Sequence, residues 1–264
     1  MVKLSKAHVS LDENGRLDPS PNLNGDAHAV SRNYFQFPND SVGLSESYQL
    51  LRNAFENIVS ETIFEEKQEA LYTKARKLLG LGASAMPLVY SPFFLPKMRH
   101  DDIGLEIENV YFPAIQNSYK AECPDNDFTV EFKDSLEGKI KSIPGLGHDR
   151  LEAAVRESDI LGLSLFILRE YSVQAAREQI TVMPTDFSLT GMLDLSGSLV
   201  ARPKLMFNTE QYAPMVWTPS CETPWEHANF HYEAYGYNLM FNRRVHHDLV
   251  AEYWSHGVSI FESV

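Results

Sequence analysis

Residues 160–168 have the sequence Ile-Leu-Gly-Leu-Ser-Leu-Phe-Ile-Leu, the longest apolar stretch of the chain. They lie in the middle of a segment that contains no proline before Pro184. We predict a single helix from about Asp149 to Ile180, ended by Pro184 because a proline ring cannot continue a helix. Since its centre is apolar on all sides, this helix should be buried in the middle of the domain.

Helical spacing of apolar residues predicts further helices before this segment. One begins after Ser45, a suitable N-cap residue, and a second runs from Phe64 to Leu79 and ends at Gly80. A third is predicted from His100 to about Lys120, with a kink at Pro113. The chain is therefore rich in helical pattern well before its apolar centre.

The remaining segments are less regular. Residues 83–96 contain three prolines among aromatic residues and are predicted to form a packed loop, whereas residues 125–133 alternate weakly and suggest a short strand. Residues 181–220 fit helix, strand and loop equally. Residues 225–261 contain no proline and are predicted to form one or two helices, with a strand as the alternative for residues 230–241.

These elements together predict a mainly α protein. We expect a single compact helical domain over residues 43–264, with a small β element, and an α+β fold is the alternative. Residues 1–42 are polar, lack either period, and are predicted to form a long irregular or partly disordered N-terminal arm.

The charge of the chain argues against nucleic acid as a partner. The formal net charge is −13, and no cluster of lysine and arginine interrupts it strongly enough to attract a phosphate backbone. The start of the sequence lacks the apolar core of a signal peptide, and no apolar run approaches the ~20 residues of a membrane span. We therefore expect a cytoplasmic protein without nucleic-acid or membrane partners, and a homo-oligomer is compatible with the sequence.

Several familiar catalytic motifs are absent. The chain has no phosphate-binding P-loop, and the glycines of residues 80–85 follow a predicted helix instead of the strand that a dinucleotide site requires. No nucleotide cofactor is expected. The cysteines Cys123 and Cys221 form no CxxC pair, and Cys221 could pair with His227 or His231 as a thiol nucleophile.

Histidines are concentrated near the C-terminal end of the sequence. Five of the nine lie between residues 227 and 256. On a helix, His227 and His231 would be four residues apart on one face, and Asp248, Glu252 and His256 would form a second stripe. Two helices facing each other would bring these five side chains to one metal ion. The mixed nitrogen and oxygen ligands favour iron, with manganese or zinc as less suitable ions.

This cluster leads to three functional hypotheses. The first is a non-heme metal-dependent oxidoreductase that acts on a small organic substrate in a buried polar and aromatic pocket. The alternative is a metal-free small-molecule-binding or protein-interaction domain in which the histidines are structural. The third is a metallohydrolase, in which the ion would activate water.

Overall fold

The fold is mixed α/β, and the prediction of a mainly helical protein is wrong. A computed structural model describes residues 10–28, 35–38, 43–82, 88–245 and 249–264. Its centre is an eight-stranded mixed sheet with helices around it. In chain order the helices are α1 (Leu44–Ala54), α2 (Glu61–Leu78), α3 (Ile103–Glu106), a π-helix (Ile107–Tyr111), α4 (Phe112–Glu122), α5 (His148–Glu157), α6 (Val173–Val182), α7 (Met192–Ala201) and a 3-10 helix (Pro203–Met206). The strands are β1 (Tyr90–Leu95), β2 (Phe128–Val130), β3 (Lys141–Ser142), β4 (Ile160–Arg169), β5 (Ser188–Leu189), β6 (Met215–Trp217), β7 (Cys221–Glu222), β8 (Ala228–Tyr235), β9 (Asn238–Val245) and β10 (Trp254–Ser263).

The apolar stretch at residues 160–168 forms a strand instead of the predicted central helix. β4 is buried along its whole length and pairs antiparallel with β1 on one side and β10 on the other. A continuous apolar run fits a strand buried on both faces as well as it fits a buried helix. The predicted long helix is therefore divided into α5, β4 and α6, and Ser172 caps α6 by accepting the Ala175 N–H at 3.0 Å.

The last part of the described chain is also a sheet, which corrects the prediction of helices over residues 225–261. β8 and β9 form an antiparallel hairpin, and Tyr235 pairs with Asn238 across its turn. Gly236 and Tyr237 both have positive φ, at 55° and 67°. Positive φ at both central residues defines the hairpin turn whose twist matches that of the strands. The strand that was the alternative for residues 230–241 is thus the observed structure.

The strand order of the main sheet is β1-β4-β10-β6-β8-β9-β2, and β5 pairs with β10 beside this path. β10 is antiparallel to β4 and parallel to β6. β1 is an edge strand of the sheet. Pro92 has no N–H to donate, and an edge strand tolerates this because it has a neighbouring strand on one side only. Part of the predicted proline-rich loop is therefore a strand, while residues 83–87 lie outside the described part of the chain.

The close approach of Phe93 to Gly162 gives a first testable prediction. The two residues face each other across β1 and β4, and a Cβ atom on Gly162 would lie 2.0 Å from Phe93 Cζ. Gly162→Ala should therefore lower the free energy of unfolding by about 1–3 kcal/mol through overpacking. Gly82→Ala is the matched control, because no atom of the described residues lies within 4 Å of its Cβ position. Equal urea midpoints for the two variants would contradict this packing.

All three helices predicted before residue 120 are present, and the first, α1, begins at Leu44 with Gly43 instead of Ser45 as its N-cap. α2 ends at Leu78, and Gly80 follows it with a φ of 70°. The third predicted helix is present as α3, the π-helix and α4, and it contains the irregularity expected near Pro113. Because proline has no N–H and its ring crowds the preceding turn, the helix widens so that the Phe112 N–H bonds the Ile107 carbonyl.

The described residues of the N-terminal arm pack on the domain. Leu17 is fully buried and donates its N–H to the Ile167 carbonyl at 2.8 Å. Arg16 joins Asp12 and Glu170 at 2.6 and 2.5 Å. No helix in the described part of the chain has the length and apolar character that a membrane crossing requires.

Candidate functional site

Two histidines and two tryptophans meet on one face of the sheet. Trp217 of β6 faces His231 of β8, and their ring centroids lie 5.1 Å apart. On the other side of β6, the parallel register pairs Ser255 with Val216, which places His256 of β10 next to Trp217. The rings of Trp217 and Trp254 are 4.8 Å apart. We call His231, Trp217, Trp254 and His256 the tryptophan–histidine cluster.

The hydrogen bonds of the two imidazoles determine which nitrogen carries the proton. His231 Nε2 lies 3.2 Å from the Glu233 carboxylate, and His256 Nε2 lies 2.8 Å from the Tyr171 carbonyl. Both partners can only accept, since Glu233 is ionised, so each ring donates from Nε2. Each Nδ1 therefore keeps a lone pair, and this atom is buried without a hydrogen-bond partner among the described residues.

The tryptophans add two hydrogen-bond donors to the same face. The indole N–H groups of Trp217 and Trp254 are buried, and neither has a partner in the described part of the chain. Most buried polar groups in proteins are hydrogen-bonded, because an unpaired one costs about 1–3 kcal/mol. Two free donors and two free acceptors in four neighbouring side chains therefore require an explanation.

Burial keeps both imidazoles neutral. Loss of solvation lowers the pKa of His231, against the opposing effect of its bond to Glu233. The same cause lowers the pKa of His256 to about 4. The bond from His231 lowers the pKa of Glu233 and outweighs the partial burial of that carboxyl. At neutral pH the cluster thus offers uncharged rings whose Nδ1 atoms can accept hydrogen bonds.

The five predicted metal ligands do not form the two facing helical stripes. His227 is exposed in the turn before β8, and its φ is 55°. His231 and His256 lie on strands with β6 between them, so their backbones are about 10 Å apart at a strand spacing of ~4.8 Å. Glu252 is in the turn before β10, and Asp248 lies outside the described residues. The helical arrangement is wrong because the segment forms a sheet.

The expected iron site is not supported either. Among residues 10–28, 35–38, 43–82, 88–245 and 249–264, no group of three or more histidine, cysteine or acidic side chains could hold a metal ion. In a strand, residues four apart share a face but are separated by about 13 Å, compared with one turn on a helix. His231 lies in β8 and His227 in the turn before it, so the helical spacing that suggested a shared ion does not apply to this pair.

A second polar cluster is explained by the structure of α7. This helix is buried throughout, so the N–H groups of its first turn must be satisfied inside the protein. Asp194 accepts the Gly191 N–H at 2.8 Å, His148 Nε2 accepts the Leu193 N–H at 3.4 Å, and the Met192 N–H bonds the thiol of Cys221. These three side chains cap the helix.

Cys221 is therefore a poor candidate nucleophile. Burial raises the pKa of its thiol to about 12, so the reactive thiolate is scarce at neutral pH. Its neighbour is the cap of α7 and not His227 or His231, the two bases that the sequence placed nearby. The cysteine has a structural role in which a neutral sulfur accepts a backbone hydrogen bond.

Sequence reasoning missed Trp217, which lies between His231 and His256 in the tryptophan–histidine cluster. Trp217 lies between Pro214 and Pro219 in a segment that fitted every type of structure. The alternation of Phe230 and Tyr232 with His231 and Glu233 was the available signal, because it has the period of a strand with two different faces. The partnership of His231 and Glu233 follows from that period.

Comparison with known proteins gives no relative from which a role could be transferred. No family model, curated protein or solved structure matches the chain.

Proposed function

We propose that the protein binds a small organic molecule at the tryptophan–histidine cluster without the help of a metal ion. The observation that carries this proposal is the set of four buried ring nitrogens that lack partners among the described residues. Binding sites for small molecules combine aromatic walls with a few placed polar groups, and the cluster has that composition. A bound molecule would compensate for the unpaired nitrogens.

The chemistry of the four rings describes the ligand. The two indole N–H groups need hydrogen-bond acceptors on the ligand, and the two neutral Nδ1 atoms need donors. The flat faces of Trp217 and Trp254 favour a planar molecule that can stack or meet them edge to face. A small, uncharged heteroaromatic compound with both donor and acceptor atoms fits these demands.

The loop before β10 is the part that would move when a ligand enters. Ala251 and Tyr253 are only partly buried, and both pack against the apolar group that contains Trp217 and Trp254. Tyr253 also accepts a hydrogen bond from Arg244 at 3.1 Å. By contrast, Val173 of α6 is fully buried on the same cluster. The weakly covered side therefore lies at residues 249–253, where loop movement would disturb little of the core.

Tryptophan fluorescence tests the proposal. The chain contains three tryptophans, and Trp225 packs elsewhere, with its ring 4.1 Å from the Arg243 guanidinium. In a Trp225→Phe background, the remaining emission comes from Trp217 and Trp254. We expect at least one compound in a set of small planar heteroaromatic compounds to change this emission on titration. The change should saturate at one bound molecule per chain.

A matched pair of variants locates the binding. Trp217→Phe keeps an aromatic ring but removes one N–H donor, and it should weaken binding by about tenfold, the equivalent of one hydrogen bond of ~1.4 kcal/mol. The exposed variant His227→Gln should leave binding unchanged. If no compound binds, or if both variants bind equally well, the cluster is only a part of the core.

A further inference from the structure

A buried carboxylate and a partly exposed imidazole, neither of which belongs to the tryptophan–histidine cluster, meet at the start of the π-helix. Glu106 ends α3, and its side chain is completely buried. One of its oxygens, Oε2, accepts the Arg99 N–H at 3.1 Å, the His100 N–H at 3.0 Å and the ring nitrogen Nδ1 of His100 at 2.8 Å. A third of the His100 side chain is exposed to solvent.

The local sequence holds this pair in place. Asp102 caps α3 by accepting the Leu105 N–H at 2.9 Å, and its second oxygen accepts the Gly138 N–H at 3.0 Å. Gly104 lets the helix approach the Leu136 carbonyl so closely that a Cβ atom would lie 2.0 Å from that oxygen. These contacts fix the single turn of α3. Glu106 is its last residue, and the Glu106 side chain is directed into the protein.

The hydrogen-bond donors around Glu106 determine which nitrogen of the His100 ring carries the proton. Two of the three bonds to Glu106 Oε2 come from backbone N–H groups, so this oxygen acts as a hydrogen-bond acceptor. The ring nitrogen that faces it must therefore carry hydrogen, so a neutral His100 is protonated at Nδ1 and keeps its lone pair on Nε2. A buried carboxylate that orients an imidazole in this way leaves the opposite nitrogen free to accept a proton.

A second observation points to more than a structural bond. The other carboxylate oxygen, Glu106 Oε1, is buried without a hydrogen-bond partner among the described residues, and so is the hydroxyl of Tyr111 at the end of the π-helix. The two groups are near enough that the charge of Glu106 adds to burial in raising the pKa of Tyr111. Single π-turns of this kind occur often at functional sites.

We infer that His100 and Glu106 form a general-base pair that activates water for attack on a small ester. His100 Nε2 takes a proton from water as the water oxygen bonds to the carbonyl carbon. The imidazolium then returns the proton to the alkoxide as the ester C–O bond breaks, which leaves an acid and an alcohol. Glu106 is a positioning residue that fixes the ring and stabilises its positive charge. Water is the nucleophile because no described hydroxyl or thiol bonds to His100.

The protonation pattern of the ring is the first test and needs no variant. In protein labelled with ¹⁵N-histidine at about pH 8.5, above the usual titration range of histidine, the His100 ring should carry hydrogen on Nδ1. Loss of the signal in His100→Gln assigns it. In Glu106→Gln the ring should change to the Nε2-protonated form at least in part. A wild-type His100 protonated at Nε2 would overturn the inference.

Hydrolysis of p-nitrophenyl acetate is the second test. His100→Gln and Glu106→Gln should each lower the rate by about tenfold or more, the low end for loss of a general base. His227→Gln is the matched control, since His227 is an exposed histidine 3.3 Å from an exposed carboxylate, Glu226. It should retain the wild-type rate. A His100→Gln rate within twofold of wild type, in protein with an unchanged melting temperature, would also overturn the inference.

Discussion

Replacement of His148 by alanine is expected to lower the free energy of unfolding by about 3–5 kcal/mol. His148 is the first residue of α5, and its imidazole is fully buried against the first turn of α7. Its removal therefore leaves a cavity the size of an aromatic ring. It also removes the acceptor of the Leu193 N–H and the partner of Ser142 Oγ, which lies 2.7 Å from Nδ1. An unsatisfied donor inside the protein adds to the cost of the cavity.

Two variants separate these contributions. Ser142→Ala removes the hydroxyl that bonds both His148 Nδ1 and Glu152 Oε2 but no core volume, so it should cost about 1–2 kcal/mol. His227→Ala changes an exposed histidine and should stay within about 0.5 kcal/mol of the wild type. Urea denaturation at pH 7 measures all three. A loss below 1 kcal/mol for His148→Ala would show that the first turn of α7 does not depend on this side chain.

Acidification from pH 7 to pH 5 is expected to destabilise the protein through its buried histidines. Burial lowers the pKa of His148, His231 and His256, and for His256 the pKa falls to about 4. Below pH 6.5 these histidines bind protons in the unfolded chain but not in the folded protein. Their contribution to the free energy of unfolding is therefore present above this pH and is lost as the pH falls. His256 alone should account for about 2 kcal/mol at pH 5.

The control for this prediction is His256→Gln. Glutamine keeps a donor for the Tyr171 carbonyl but does not titrate, so the loss of stability between pH 7 and pH 5 should be smaller by about 2 kcal/mol than in the wild type. Urea unfolding curves at pH 7, 6 and 5 measure the difference. Parallel pH dependences for the two proteins would contradict a neutral, buried His256.

The helices that the sequence predicted correctly depend on local signals. α2 has a regular apolar stripe and a glycine after its end, and both features act within a few residues of chain. The irregular helix near Pro113 was likewise predictable because the missing N–H of proline acts on the turn next to it. Neither element needs a distant partner to define its type.

The apolar stretch at residues 160–168 was misassigned because its structure depends on distant strands. Its sequence has neither the period of a helix nor that of a half-buried strand. Only the presence of β1 and β10 on its two sides makes an extended conformation favourable, since each supplies a ladder of hydrogen bonds. Because β1 and β10 lie far from β4 in the sequence, no local pattern predicts that they pair with it.

The same limit applies to the tryptophan–histidine cluster. His231 and His256 were singled out by the concentration of histidines in this segment and by an assumed helical spacing, whereas the structure places both on one face of a sheet. The residue between them is Trp217, which belongs to a short strand with no readable pattern. A row of side chains across three strands depends on the register between strands, and that register is a property of the tertiary structure.

The position of β10 determines how the protein can be divided. Its residues Trp254–Ser263 connect β4, and with it β1, to the group formed by β6, β8, β9 and β2. A recombinant fragment that stops before residue 254 would hold two separate sheets whose inner strands have unpaired backbone groups. Such groups pair readily with other chains. We therefore expect fragments of this kind to aggregate, and a split-protein reporter should be divided at an outer loop instead.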